Sequence, residues 1–147
     1  MTLLMTDDLV ARLAAYQDRL DAAREKQPAS GADPFDHPPA GIGCHEIDTE
    51  TRVLRVNDEE LRLLGYGRDE MVGRRVVELI VMNETAERAI ARKISGELEL
   101  KPFVRTFRRK DGSAVALVLL DRHLKDASGR VVGLRTVMTK AGGPAGG

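Results

Sequence analysis

Few residues in this chain are of a type that could do chemistry. The single cysteine, Cys44, is followed by His45, and the other two histidines are His37 and His123. If Cys44 and His45 lie on a strand, their side chains point to opposite faces of the sheet and do not bind one metal ion together. Cys44 is therefore predicted to be a buried small residue, with redox sensing as the weaker alternative. His37 lies among prolines and is predicted to be solvated.

The remaining candidate motifs favour structure over catalysis. Gly41 and Gly43 lack the third glycine and the following helix of a dinucleotide-binding turn. A basic group borders a predicted hairpin turn, where charge is typical of a solvated sheet edge; its members are Arg105, Arg108, Arg109 and Lys110. No set of serine, histidine and aspartate, and no pair of carboxylates, has the spacing that catalysis requires. We therefore expect a protein that is not an enzyme.

Length and composition limit the class of protein. The chain has 147 residues, of which 42% are hydrophobic, enough for one folded domain. Lys and Arg number 23 and Asp and Glu also number 23, so no overall field attracts nucleic acid or an anionic membrane. One cysteine excludes an internal disulfide, and no stretch approaches the ~20 apolar residues of a membrane span. A cytoplasmic location is expected, with neither nucleic acid nor membrane as a partner.

Residues 1–27 are predicted to form an N-terminal amphipathic helix. Thr6 is its candidate N-cap, and an apolar seam at helical spacing follows, formed by Leu9, Leu13, Tyr16 and Leu20. Such a seam suits a coiled-coil contact in a homodimer, although it is too short to hold a dimer by itself. Packing against the chain's own domain is the alternative, and one helix can do both.

The rest of the chain divides by composition. Residues 28–40 contain four prolines and are predicted to be a linker. Residues 41–140 carry the periodic apolar pattern of the folded domain. Residues 141–147 are mostly glycine and alanine and are expected to form a flexible tail.

Within the domain, turn and cap signals separate short helices from five strands. The strands are predicted at 41–47, 52–57, 99–109, 113–124 and 130–139. Asn57 lies three residues before Glu60, which is the spacing of a capping box, and Asn83 is the candidate cap of a longer helix. Asp111-Gly112 is a strong signal for a tight hairpin turn.

The strand that starts near Ser113 is apolar on both faces. Residues 114, 116, 118 and 120 form one face, and residues 115, 117 and 119 form the other. The central helices can cover only one of these faces. The outer face must therefore be covered by the N-terminal helix or by a second subunit.

The order of these features resembles the PAS domain family. The residues that carry the resemblance are Asn57 after a strand, Leu64-Gly65-Tyr66, the stretch 70–74, and the turns at 110–113 and 126–129. The resemblance implies an α+β PAS fold. Its five-stranded antiparallel sheet has the spatial order 2-1-5-4-3, with short helices on one face and here an added N-terminal amphipathic helix. Pro102 agrees with this order, because the third strand is then an edge strand.

The resemblance also implies a function. PAS domains sense a small ligand, redox state or light through a cavity between the sheet and the central helices, or they mediate dimerisation and partner binding. The residues expected to line such a pocket here are Leu64, Val72, Ile80, Ile90, Ile94, Phe103, Val115, Leu117 and Leu119. The lining is thus predicted to be almost wholly aliphatic, and ordinary core packing is the alternative role for each residue.

The cofactor stays open at this point. Photoactive flavin-binding members of the family carry a cysteine on the helix after the Gly-Arg pair, and residues 75–80 contain none. Haem-binding members commonly use a histidine on the long helix; residues 85–95 have none, which leaves His45 and His123 as weak candidates for axial ligands. The first alternative is a haem-based gas or redox sensor. The second and weaker alternative is a small enzyme in an α+β cavity fold.

The expected partners follow from the same resemblance. PAS sensors are usually joined to a histidine kinase, a cyclase or a DNA-binding output, and no such domain fits within this chain. We therefore expect a bacterial-type signalling module with a second copy of itself and a small-molecule ligand as partners. Its output is either a separate protein such as a histidine kinase or another part of a longer protein of which this chain is a piece. The signal is predicted to leave through the outer sheet face to the N-terminal helix.

Overall fold

The computed structural model describes residues 5–25 and 33–141, and these residues form five strands and four helices. The strands are β1 (Gly43–Asp48), β2 (Val53–Val56), β3 (Phe103–Arg108), β4 (Ala114–Lys125) and β5 (Val131–Lys140). The helices are α1 (Asp7–Glu25), α2 (Asp58–Leu64), α3 (Arg68–Met71) and α4 (Asn83–Ser95), with a 3₁₀ turn at Val76–Leu79. The strands form one antiparallel sheet in the order β2-β1-β5-β4-β3. The predicted fold and strand order are confirmed.

Tight hairpins join the last three strands. Between β3 and β4, the backbone N–H of Arg109 donates to the carbonyl oxygen of Ser113 at 2.7 Å, and Gly112 adopts a positive φ of 90°. Between β4 and β5, the carboxylate of Asp126 accepts from the backbone of Ser128 at 2.9 Å. The predicted Asp-Gly turn is confirmed. Pro102 lies directly before the edge strand β3. Its missing N–H therefore removes no hydrogen bond between strands.

The main core lies between the inner sheet face and helices α2 to α4. Its buried members include Val56, Leu64, Met71, Ile80, Ile90, Phe107, Leu117, Leu119, Leu134 and Met138. The inner face of β4 thus packs on the helices, as the apolar residues 115, 117 and 119 of that face predict.

Helix α1 covers the outer sheet face. Leu13, Tyr16 and Leu20 are buried there, against a set from the sheet and the preceding segment: Phe35, Ile42, Cys44, Val118, Leu120 and Val137. Leu9 is partly buried at the margin of the same cluster. Both faces of β4 are therefore covered within one chain, as the doubly apolar strand requires. The outer cover is the chain's own N-terminal helix.

This packing changes the expectation of a dimer seam on α1. Leu13, Tyr16 and Leu20 have 0%, 1% and 3% of their surfaces exposed, so they are not available to a second subunit while α1 is docked. The reason is that the same apolar stripe fits the uncovered face of the sheet, which is adjacent in the folded chain.

The described part of the predicted linker, residues 33–40, is anchored to this helix. Phe35 is buried, and the Tyr16 hydroxyl donates to the carbonyl oxygen of Pro34 at 2.7 Å. Residues 28–32 and the predicted tail at 142–147 lie outside the described residues.

The predicted capping box is only half formed. Asn57 is the N-cap of α2, and its side chain accepts from the backbone N–H of Glu60 at 3.0 Å. The Glu60 carboxylate does not return the bond, because it pairs with His45 instead, and the Asn57 N–H donates to the carbonyl oxygen of Cys44. Asn83 is the first residue of α4 and makes no cap bond; Met82 occupies the cap position.

Candidate functional site

A small enclosed chamber lies between the inner sheet face and helix α4. Its volume is about 10 Å³, which is room for about one water-sized sphere. Aliphatic and aromatic side chains form part of the wall, namely Ile47, Val76, Ile80, Ile90, Phe107, Leu119 and Leu134. The remaining wall is polar and consists of His45, Arg105, Asp121 and Thr136. An almost wholly aliphatic lining is the expectation from the sequence, and this chamber differs from it by its four polar residues.

The predicted pocket residues divide into three groups by position. Ile80, Ile90 and Leu119 line the chamber. Leu64, Val115 and Leu117 are buried in the same core, while Ile94 and Phe103 are partly buried against it. Val72 is 42% exposed and does not face the chamber. It follows the last residue of the single-turn helix α3, and the side chain that turns inward there is Met71.

One side of the polar wall is a buried pair between β1 and α2. Nδ1 of His45 lies 2.9 Å and 2.7 Å from the two carboxylate oxygens of Glu60. Burial by itself lowers the pKa of His45, but the charge and the hydrogen bond of Glu60 outweigh it, so the net effect raises the pKa. The buried imidazole is thereby held toward its protonated, positively charged form.

A second buried pair joins α4 to the sheet. Nζ of Lys93 donates to Oδ2 of Asp121 at 2.8 Å, and the Thr136 hydroxyl donates to Oδ1 at 2.6 Å. Each carboxylate oxygen of Asp121 thus accepts one hydrogen bond. Burial lowers the pKa of the Lys93 ammonium, which Asp121 opposes. His123 Nε2 lies 2.8 Å from the carbonyl oxygen of Lys93 and holds the same turn of α4.

The third cation of the site is Arg105 on the inner face of β3. Its guanidinium carbon lies 4.6 Å from the centre of the Phe103 ring, and Nζ of Lys93 lies 3.5 Å from the same centre. Two cations therefore share one aromatic ring. Within residues 5–25 and 33–141, Arg105 makes neither a hydrogen bond nor an ion pair with another side chain.

The sequence did contain a signal for this wall. His45 is paired with Thr136 across β1 and β5, and Asp121 is paired with Thr136 across β4 and β5, so the three share one face. Arg105 lies between Phe103 and Phe107 in an alternating strand. Extending the inward alternation of β4 by one step, from Leu119 to Asp121, would have found the polar end of the face.

The chamber does not fit a haem group. A volume of about 10 Å³ cannot hold a macrocycle, and Nδ1 of His45 is already bonded to Glu60. Within the described residues no group of three or more His, Cys, Asp or Glu side chains is placed to hold a metal ion. Its polar wall offers hydrogen-bond donors and acceptors next to the apolar part of the chamber.

Comparison with known proteins decides the family. The family model described as "PAS domain" matches residues 39–139. The chain belongs to the PAS domain family. This PAS domain is similar to the C4-dicarboxylate transport sensor protein DctS of Rhodobacter capsulatus, with 30% identity over 92 residues, 60% of this chain. That match covers only 14% of the relative's length.

Solved PAS domains share the fold. The PAS domain of a protein from Colwellia psychrerythraea has a TM-score of 0.65 and 16% identity, covering 76% of this chain and 93% of that one. A domain of a sensory box sensor histidine kinase/response regulator from Geobacter sulfurreducens has a TM-score of 0.61 and 22% identity, covering 86% and 96%. The PAS domain of the quorum-sensing receptor RpfR from Cronobacter turicensis, in complex with BDSF, has a TM-score of 0.58 and 13% identity, covering 70% and 96%.

PAS domains of sensor proteins are generally non-catalytic signalling modules. Across the residues that the structure describes, every helix is too short or too polar to pass through a lipid bilayer.

Proposed function

We propose that this PAS domain binds a small molecule between helix α4 and the inner sheet face and reports its presence to an output protein. The polar wall of the chamber carries this proposal. Five ionisable side chains, His45, Glu60, Lys93, Arg105 and Asp121, meet beside the apolar cluster that fills the space between the inner sheet face and the helices. Replacing buried ion pairs with apolar residues is often neutral or stabilising, so stability alone does not explain such a cluster. Clusters of this kind are typical of functional sites.

The route to the outer face is short. Asp121 and Thr136 face the chamber, while their neighbours Leu120 and Arg135 face helix α1. Nε of the buried Arg135 donates to Oε1 of Gln17 at 2.7 Å, and the Gln17 amide donates to the carbonyl oxygen of Leu120 at 2.9 Å. A shift of β4 and β5 at the chamber is therefore transmitted directly to α1.

Native mass spectrometry of freshly purified protein, compared with its denatured mass, tests this proposal. We expect non-covalent mass that is lost on denaturation, and we expect hydrogen exchange in residues 7–25 to change when that ligand is removed. A ligand-free protein whose helix exchanges identically before and after refolding would contradict the proposal.

We further propose that the output is a separate or linked signalling domain such as a histidine kinase. The support is the similarity to a sensor protein and to a domain of a sensor histidine kinase. Two results together would support this output. The protein would co-purify with a kinase, and the kinase activity would cease to respond to the ligand when α1 is disrupted. A kinase that responds equally without α1 would count against it.

Homodimerisation is the second candidate role, and its support is a groove on the outer face. Beside α1, the apolar side chains of Val10, Ala14, Leu100, Pro102 and Leu120 line this groove. It is distinct from the buried seam of α1. We expect dimers in native mass spectra that the substitution Val10→Glu dissociates, with the exposed Ala15→Glu as the control. Monomers at micromolar concentration would contradict this role.

A further inference from the structure

We propose that the ligand of this PAS domain is a small carboxylate, whose anionic head binds Arg105 and whose apolar body lies between α4 and β3. This inference rests on the proposed ligand-sensing function and adds the chemical class of the ligand. It depends on three observations: a groove next to the chamber, a cation that has no ion-pair partner among the described residues, and an excess of positive charge around both.

The groove lies beside the chamber, between helix α4 and the edge strand β3. It has a volume of about 290 Å³, close to the lower end of the range for small-molecule sites. Its walls are Ala86 and Ala89 of α4, Phe103 and Val104 of β3, and Ile80 and Met82 from the segment before α4. Two small alanines on the helix leave the space, and the lining is mainly apolar. Ile80 and Arg105 line both the groove and the chamber, so the two are adjacent.

Arg105 is placed where groove and chamber meet. Burial lowers the pKa of its guanidinium, with Asp121 acting in the opposite direction. An arginine nevertheless keeps its charge at any physiological pH. Asp121, whose charge acts on Arg105, accepts hydrogen bonds from Lys93 and Thr136 and makes none with the guanidinium. Among the described residues, the half-buried guanidinium therefore has its donors free for a ligand.

The charges around Arg105 favour an anion. Lys93 lies against the same Phe103 ring, and the cation–ring contacts bring the two positive charges together. Within the cluster, Lys93 is matched by Asp121 and His45 by Glu60, which leaves the charge of Arg105 unbalanced. A planar carboxylate matches the guanidinium fork with two parallel hydrogen bonds, and a site of low polarity strengthens them.

The groove has room for a short molecule. One carboxylate at Arg105 and a chain of a few carbons along Ala86 and Ala89 fit within it. Thr85 and Thr106 at the rim offer hydroxyl groups for one additional polar substituent.

A titration with matched pairs of small molecules tests the inference. Straight-chain carboxylates from butanoate to octanoate, and the primary amides of the same acids, are added to ¹⁵N-labelled protein at pH 7 and constant ionic strength. We expect the carboxylates to shift the amide signals of residues 85–89 and 103–106 and to bind at least about tenfold more tightly than the amides.

Three variants distinguish the effect of the Arg105 charge on binding from the effect of the groove's shape. Arg105→Gln is expected to weaken carboxylate binding at least about tenfold and to abolish the preference over amides. Arg108→Gln, on the exposed face of the same strand, is the matched control and is expected to leave binding unchanged. Ala89→Leu fills the groove without altering charge and is expected to block both series.

Each alternative result is distinct. Equal binding of carboxylates and amides, with Arg105→Gln unaffected, would overturn the carboxylate class and leave the sensing function standing. A neutral adduct in the native mass spectrum, with neither series bound, would do the same. Signals that shift only around exposed lysines such as Lys101 would overturn the inference as non-specific ion binding. If neither the carboxylates nor the amides shift any amide signal, and native mass spectrometry finds no retained ligand, both this inference and the proposed function would be overturned.

Discussion

Both carboxylate oxygens of Glu60 lie within 2.9 Å of Nδ1 of His45, and 3% or less of either side chain is exposed to solvent. The pair joins the first strand of the sheet to helix α2, directly beside the chamber. Because Glu60 favours the protonated imidazole, the pair couples the protonation of His45 to the stability of the fold.

Stability should therefore depend on pH through His45. Its pKa in the folded state is raised above the ordinary value of 6.5. The stabilisation is complete below about pH 6.5 and is lost as the pH rises through the raised folded-state pKa. We expect the free energy of unfolding in urea to fall over that interval in the natural sequence and to lose this component in Glu60→Gln. The exposed His37→Gln is the control and should keep it; an identical slope in Glu60→Gln would refute the coupling.

The Lys93–Asp121 pair should be costly to break on one side. Asp121→Asn leaves a buried ammonium without its counter-charge, which is expected to cost about 3–5 kcal/mol of unfolding free energy. The double variant Lys93→Met/Asp121→Leu should recover much of this loss, since it removes both buried charges. Glu97→Gln, which removes the partner of Arg92 in an exposed pair, should cost less than about 1 kcal/mol. Equal costs for the buried and the exposed pair in thermal or urea unfolding would contradict this prediction.

Gly133 should not tolerate a side chain. A Cβ atom there would lie 1.9 Å from the carbonyl oxygen of Ile47 on the neighbouring strand, and backbone cannot move aside. Gly133→Ala is expected to lose about 3 kcal/mol or more. Gly67→Ala is the comparison, because its nearest neighbour is the end of the Glu70 side chain at 3.4 Å. Urea unfolding of both variants measures the loss of unfolding free energy. Similar losses in the two variants would show that β5 does not approach β1 this closely.

The reactivity of Cys44 should report whether α1 is docked. The thiol is fully buried under the helix, and burial raises its pKa well above the ordinary value, so it should react slowly with a disulfide reagent. Leu13→Asp places a charge in the helix–sheet contact and is expected to speed the reaction at least about tenfold. Ala15→Asp, on the exposed face of the same helix, should react at the rate of the natural sequence. Equal rates in the two variants would mean that α1 does not protect the thiol.

Much of the fold was predictable because its determinants are local. The continuous apolar run at 114–120, the Asp111-Gly112 turn and the Asn57 cap are local signals, and each lies where it was expected. The apolar stripe of α1 was equally readable. Its partner was not, because an amphipathic helix specifies that a face is buried and leaves open what buries it.

The candidate site shows the same division. The sequence by itself determined the PAS fold, the inward alternation of the strands and the presence of a covered outer face, since period and turn chemistry are properties of neighbouring residues. Only the tertiary structure decided that Glu60 turns to His45, that Val72 faces solvent, and that Gln17 bonds to Leu120, 103 positions away. Contacts of this kind depend on which elements meet in space, and no local pattern specifies the partner of a buried charge.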